Sequence, residues 1–282
     1  MKSKRTFPPL VKDHSISGKL FEISLVNEHG LLKTKNLPQN LSKFYQSEDY
    51  ISHTDSKRSL FEKAYHFIRS IALRQKLKLI NGFGFETKTL LDFGCGTGDF
   101  IQTAQNDNWS VSGIEPNHHA RNIAKRKVGE SVFDPEQLKA FSPCSFQIIS
   151  LWHVLEHLVD LDFHIKEFDR LLSATGRLII AVPNYRSYDA QYYETYWAAY
   201  DVPRHIWHFS QESLIQLMSK KGFQLERKKP MRFDAYYVSL LSEKYKSGRM
   251  NLIKAFWIGF KSNLKANRTG EYSSIIYIFK KS

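Results

Sequence analysis

The 282-residue chain carries 41 Lys and Arg against 28 Asp and Glu, a formal net charge of +13, and is 42% hydrophobic and 24% charged. At about 100–200 residues per domain, this length builds one large domain, alone or with an appendage, and the apolar fraction excludes a chain disordered throughout. The positive balance favours anionic partners such as RNA, acidic lipid or phosphorylated metabolites, and two cysteines, Cys95 and Cys144, are too few for a disulfide framework.

The cysteine usage suits a reducing compartment, so the expected location is cytoplasmic. The start, MKSKRTFPPLVKDHS, is basic, but Pro8 and Pro9 break an apolar stretch far too short for a secretory leader. No apolar run approaches the about 18 residues that span a bilayer. Residues 1 to about 50 are irregular apart from one hairpin signal, Leu20–Val26, a turn at Asn27–Gly30, then Leu31–Thr34. From Ser56 to Leu79, Leu60, Ala64, Phe67, Ile68, Ile71 and Leu73 fall near a helical period, and Asn81-Gly82 and Gly84 close that helix. Strands and helices then alternate. Thr89–Phe93, Ser110–Ile114, Phe146–Leu151 and Arg177–Val182 read as strands, and Phe100–Gln105, Asn117–Lys127 and Leu155–Leu172 as the helices between them. Ser210 caps a helix over Gln211–Lys221, Gly222 ends it, and Phe223–Arg227 and Ser273–Phe279 close the chain as strands. This alternation predicts an α/β sheet, mostly parallel, with a long insertion able to bring the last strand back antiparallel.

LLDFGCGTGDF, residues 90–100, runs from a buried strand through Asp92, Gly94, Gly96 and Gly98 into a helix. Glycines there allow close approach of backbone to a ligand, and the helix start offers free N–H groups. The next strand ends in Glu115, suited to ribose hydroxyls at the crevice beyond the strand ends. A dinucleotide fingerprint needs Gly-x-Gly-x-x-Gly, and the third position here is Asp99. The spacing Asp-x-Gly-x-Gly-x-Gly resembles motif I of the class I S-adenosylmethionine-dependent methyltransferases. LWHVLEHL (151–158) resembles the segment after the fourth strand of that class and GRLIIAVPN (176–184) its fifth strand, while DVPRHIWHFS (201–210) resembles a segment of the branch called methyltransferase domain family 23. The resemblance runs from Leu90 to Phe279. It implies a doubly wound, mostly parallel seven-stranded sheet, the Rossmann-like methyltransferase fold. The chain then divides into an N-terminal extension, 1–55, and a methyltransferase domain, 56–282. It also implies S-adenosylmethionine as cofactor, held by Asp92, Gly94, Cys95, Gly96, Gly98, Glu115 and Pro116, with Asp134 at the adenine and Leu151 and Trp152 flanking. Some relatives carry a zinc ribbon before this domain. Here Val26 and His29 stand where a knuckle would fall and no cysteine precedes Cys95, so no metal is expected there.

His153-Val-Leu-Glu156-His157 formally matches a zinc-protease pattern, but it follows a strand immediately and lacks an obvious third ligand, so no metal site is assigned. Between Tyr185 and Phe209 lie nine aromatic residues with Asp201, Arg204, His205 and His208 among them, read as an aromatic substrate cover over residues 185–209. The expected substrate contacts are Tyr196, Asp201 and Arg204. A hydroxyl or amine acceptor must lose a proton, and a neutral histidine is a natural base, with His205 first, His153 second and His208 third. The basic insert, Leu241–Arg268, interleaves Phe256, Trp257 and Phe260 with seven cations against Glu243, and reads as a solvated helix with a core-facing aromatic stripe. The expected reaction is methyl transfer to a small aromatic or hydrophobic acceptor. The alternatives are an RNA methyltransferase, a peripheral-membrane quinone-type O-methyltransferase with weak affinity for acidic membranes, and a cofactor-binding protein without turnover.

Overall fold

The computed structural model describes residues 7–45 and 60–282. The expected division at 55/56 and the start of the first helix at Ser56 lie outside the described residues. Helix α1 runs Leu60–Asn81, and behind it come β4 (Thr89–Phe93), α2 (Asp99–Gln105), β5 (Ser110–Ile114), α3 (His118–Val128), β6 (Val132–Phe133) and β7 (Phe146–Trp152). After these follow α4 (Leu161–Leu171), β8 (Leu172–Pro183), α5 (Tyr188–Tyr193), β9 (Trp207–His208), α6 (Gln211–Ser219), β10 (Phe223–Pro230), α7 (Asp234–Ser247), α8 (Leu252–Thr269) and β11 (Ser274–Lys281). Seven strands form one sheet in the order β10-β11-β8-β7-β4-β5-β6. The five from β6 to β8 are parallel, and β11 lies antiparallel to both β8 and β10.

Strand alternation divides the core between the two faces. Leu90, Ile148, Ile179 and Ile278 face α1–α3 through Leu79, Ile80, Ile101, Ala104 and Ala124. Leu91, Ile149, Leu178, Ile180 and Phe279 face α4 and α6 through Ile165, Phe168, Leu214 and Met218. One helix differs from its expected span. Residues 155–157 form a separate 3-10 turn, and α4 starts afresh where the Asp160 side chain accepts the Phe163 N–H at 2.9 Å.

The N-terminal hairpin is present as β2 (Leu20–Leu25) against β3 (Leu32–Thr34), with β1 (Leu10–Lys12) added on the outer edge. It does not stand alone, because β3 pairs with β9 and completes a second, four-stranded sheet. A third core fills the space between that sheet, the 185–209 segment and α7–α8, with Phe21, Ile23, Leu32, Tyr193, Trp197, Tyr200 and Ile258 buried in it. At its rim the Tyr185 hydroxyl donates to Gly30 O at 2.6 Å. A Cβ at Gly30 would sit 2.7 Å from that hydroxyl, which explains glycine in the turn. The aromatic stripe of the basic insert is reversed from expectation. Ala255, Ile258, Gly259, Ser262 and Ala266 face the core, while Phe256, Trp257 and Phe260 face outward. Gly259 sits where a Cβ would come 2.9 Å from the Tyr236 Cα, so the small residues are what let α8 lie close on α7.

Candidate cofactor and active site

The 94–98 loop leaves β4 with Gly94, Gly96 and Gly98 all at positive φ. The three glycines have two different reasons. A Cβ at Gly94 would lie 2.4 Å from Val154 Cγ2 and one at Gly98 2.9 Å from Ala124 Cβ, so both positions are closed by packing. At Gly96 no atom lies within 4 Å of that point, so its bare backbone opens onto free space. The Gly96 N–H donates to Glu115 Oε2 at 2.8 Å, and the Asn117 N–H to Oε1 at 2.8 Å. Burial pushes the Glu115 carboxyl up, and those two N–H bonds and Arg121 oppose the rise. Both oxygens are thereby aimed, with lone pairs left for a ligand's hydroxyls.

These groups line a cleft of about 320 Å³, together with Asp92, Cys95, Thr97, Trp152 and one face of α1. That face, Arg69, Ala72, Leu73 and Lys76, follows i, i+3, i+4, i+7 spacing and closes the side the glycine loop leaves open. Buried Asp92 accepts the Ser150 hydroxyl at 2.6 Å, and burial pushes its pKa up to about 6 against the pull of Ser150 and Lys76. Burial lowers Lys76 to about 8 despite Asp92 and Asp234, and its ammonium sits 4.2 Å from the Trp152 ring centre. The buried Trp152 Nε1 has no hydrogen-bond partner among the described residues. A bare-backbone cradle, an aimed carboxylate, an unspent donor and flanking cations fit a ligand with ribose hydroxyls and an amino-acid end. S-adenosylmethionine is such a ligand.

Among the expected cofactor contacts, Asp92, Gly94, Cys95, Gly96, Glu115 and Trp152 line the cleft, and Gly98 shapes it. Leu151 is fully buried core, Pro116 is exposed beyond the strand, and Asp134 pairs with Arg121 at 3.1 Å; none of the three is a lining residue. The sequence reading missed Arg69 and Lys76. Their seven-residue separation on one predicted helix was the available signal.

The expected bases stand elsewhere. His153 Nε2 lies 3.0 Å from Asp234 Oδ2 and its Nδ1 3.3 Å from Glu156 Oε1. Burial disfavours its charge, but Asp234 and Glu156 outweigh burial and hold the pKa up to about 10, which favours the charged ring. That charge state runs against the role of base expected at this position. His205 is buried with Nδ1 2.8 Å from Ala199 O, and burial and the neighbouring His157 push its pKa well down. His208 Nε2 lies 2.9 Å from Thr34 Oγ1, whose hydroxyl donates to His205 O, and burial lowers it to about 3. Neither lines the cleft. Nor do the expected substrate contacts: exposed Tyr196 lies beside His14, and Arg204 ties Asp201 to Ser15 at the junction with the N-terminal sheet. The 185–209 segment is a packed core where an aromatic-walled pocket was expected, because β1–β3 and α7–α8 cover it on both sides. The zinc-protease spacing also fails, since His153 sits at φ 58 outside any helix. Instead Glu156, His157 and the distant His205 come together, with one ligand-type atom from each within 4.8 Å of the others.

The family profile described as "Methyltransferase domain" matches residues 62–228. A curated relative, the ubiquinone biosynthesis O-methyltransferase of Pelagibacter ubique, is 34% identical over 102 residues, covering 34% of this chain and 42% of that protein. The chain thus spans less than half the length of that relative. Among solved structures, the geranyl diphosphate C-methyltransferase of Streptomyces coelicolor A3(2), in complex with Mg2+, geranyl diphosphate and S-adenosyl-L-homocysteine, superposes with a TM-score of 0.53 at 14% identity, covering 93% of this chain and 92% of that one. The cyclase SpnF superposes with a TM-score of 0.52 at 18% identity, over 81% and 84%. The last two matches show the fold alone, and the second shows that the fold also carries a cyclase.

Proposed function

Because the chain belongs to the methyltransferase domain family, we propose that it transfers a methyl group from S-adenosylmethionine to a hydroxyl or amine of a small, apolar or aromatic acceptor. The observation that carries this reading is the Gly96–Glu115 pair at the floor of the cleft, where bare backbone and a buried carboxylate face open space. S-adenosylmethionine supplies a methyl group already activated on a sulfonium, so the protein's share is alignment, exclusion of water and handling of the acceptor's proton. Loop 94–98, Glu115, Asn117 and Trp152 are the residues to hold the cofactor, and Arg69 on α1 brings a cation to the same cleft.

With His153 charged and His205 and His208 outside the cleft, the amine of Lys76 is the group for the proton. Its pKa of about 8 leaves a fraction neutral near pH 7, and that fraction takes the acceptor's proton as the acceptor attacks. A relative named for ubiquinone biosynthesis O-methylation supports a hydroxyl on an apolar molecule as the acceptor. Calorimetric titration with S-adenosylmethionine and with S-adenosylhomocysteine tests the reading. Binding of both, lost in Glu115→Ala, is the expected result, and binding of neither overturns it. A turnover–pH profile rising through about pH 8 and abolished in Lys76→Met tests the proton step.

A further inference from the structure

We propose that the outer face of α8 is a docking surface for anionic lipid bilayers. Leu252, Ile253, Phe256, Trp257, Phe260 and Leu264 fall on one face at 3.6 residues per turn, and all are exposed, Ile253 by 75%, Phe256 by 55% and Trp257 by 54%. Phe256 and Phe260 stack in parallel with ring centres 6.4 Å apart, and Trp257 meets Phe260 edge-on at 5.9 Å, so the rings form one continuous ridge. A face with six large apolar side chains turned to solvent is not ordinary monomer surface. The helix is inverted relative to a core helix, with its small residues inward and its large ones outward.

The charge around the ridge selects the occupant. Lys261, Lys265 and Arg268 follow the ridge along one flank, where Lys254 is paired with Glu243 at 3.1 Å, and Lys244, Lys246 and Arg249 precede it. From Lys244 to Gly270 the chain has no acidic residue. An apolar, aromatic-rich face beside a cationic flank matches a bilayer interface, where rings enter the headgroup boundary and cations meet anionic lipid. A second copy would bring the same cations together. Among the described residues no helix is long and apolar enough to cross a membrane, so the contact lies on the surface. Behind the face, α7 packs on α8, and its Asp234 lies 3.0 Å from His153, the residue after Trp152 of the cleft. The surface stands independently of the methyl-transfer reading.

Vesicle flotation tests it with the whole chain, comparing phosphatidylcholine alone with phosphatidylcholine in which about a third is replaced by phosphatidylglycerol. The expected result is binding to the anionic vesicles that falls as salt is raised, and a partition coefficient lowered about tenfold or more in Phe256→Ser/Trp257→Ser. Both side chains are exposed, so that variant should retain the wild-type melting temperature and cofactor titration. Trp257→Phe should keep vesicle binding but lose the blue shift of fluorescence that accompanies it. No binding to anionic vesicles at low salt overturns the proposal. So does a dimer seen by light scattering that the same double substitution dissociates, because the ridge is then an interface between copies. Unchanged vesicle binding by the double variant also overturns it.

Discussion

The 89–117 stretch and the 185–209 stretch both look like sites in the sequence, and they fold into opposite things. The first is a self-contained device: strand, glycine turn, helix start and the acid that follows the next strand lie in one continuous stretch and build their own cleft wall. The second has the composition of a site, with many rings and embedded titratable groups, but its partners come from residues 7–45 and from α7–α8, and they close over it. A motif whose hydrogen bonds are local carries its geometry with it. A composition does not, since aromatic and buried polar groups serve a packed core as well as a pocket.

The difference is sharpest at two buried carboxyl groups. Asp189 accepts Trp197 Nε1 at 2.8 Å, Ser262 Oγ at 2.6 Å and Ser273 Oγ at 2.6 Å, binding the 185–209 segment to α8 and to the approach to β11. Asp189→Ala strands three buried donors and should destabilise the fold by about 3–5 kcal/mol, read by denaturant melts, with cofactor affinity unchanged below the transition. Equal loss of cofactor binding in the folded variant would break the comparison. Glu115→Ala should do the reverse, with cofactor affinity down about 100-fold, or about 2.7 kcal/mol, and a smaller shift in the melt.

The histidines separate the regions by pH. His208 is neutral in the fold with a pKa of about 3 against an ordinary 6.5, so it takes up a proton only on unfolding within that window, and stability falls as pH drops through it. His153, held at about 10, contributes stability in full below 6.5 and loses it as pH rises through 10. Melting temperatures across that range should show a flattened acid limb in His208→Gln and a flattened alkaline limb in His153→Gln. Turnover retained in His208→Gln would agree with its place outside the cleft. The smallest effects belong to the loop glycines. Gly96→Ala should cost about 1 kcal/mol for its positive φ, whereas Gly98→Ala adds the contact with Ala124 and should cost more. Equal costs in the two variants would show that the packing around Gly98 yields freely.

Most of the sheet was legible because near-continuous apolar runs such as Leu90–Phe93 and Ile148–Leu151 read as strands buried on both faces, and Ser210, Asn117 and Gly222 mark helix ends through their own hydrogen bonds and φ. The floor of the cleft was legible for the same local reason. Its α1 wall was not, because the seven-residue spacing of Arg69 and Lys76 puts them on one helix face without saying what that face meets. The 155–160 break was hidden because Asp160 inside an apolar-periodic run reads as helix, whereas its side chain caps a new one.

The sequence by itself determined the mostly parallel α/β sheet and the glycine loop with its acidic partner, since those follow from alternating strand and helix patterns and from one strand–loop–helix–strand segment, and its motifs carried the resemblance that the profile match bears out. Only the tertiary structure decided the surroundings of the histidines, the fate of the aromatic segment and the direction of the α8 stripe. Each of those depends on which distant side chain arrives, Asp234 at His153, Thr34 at His208, Tyr236 at Gly259. Burial and charge at a residue are sums over such arrivals, and spacing along the chain does not contain them.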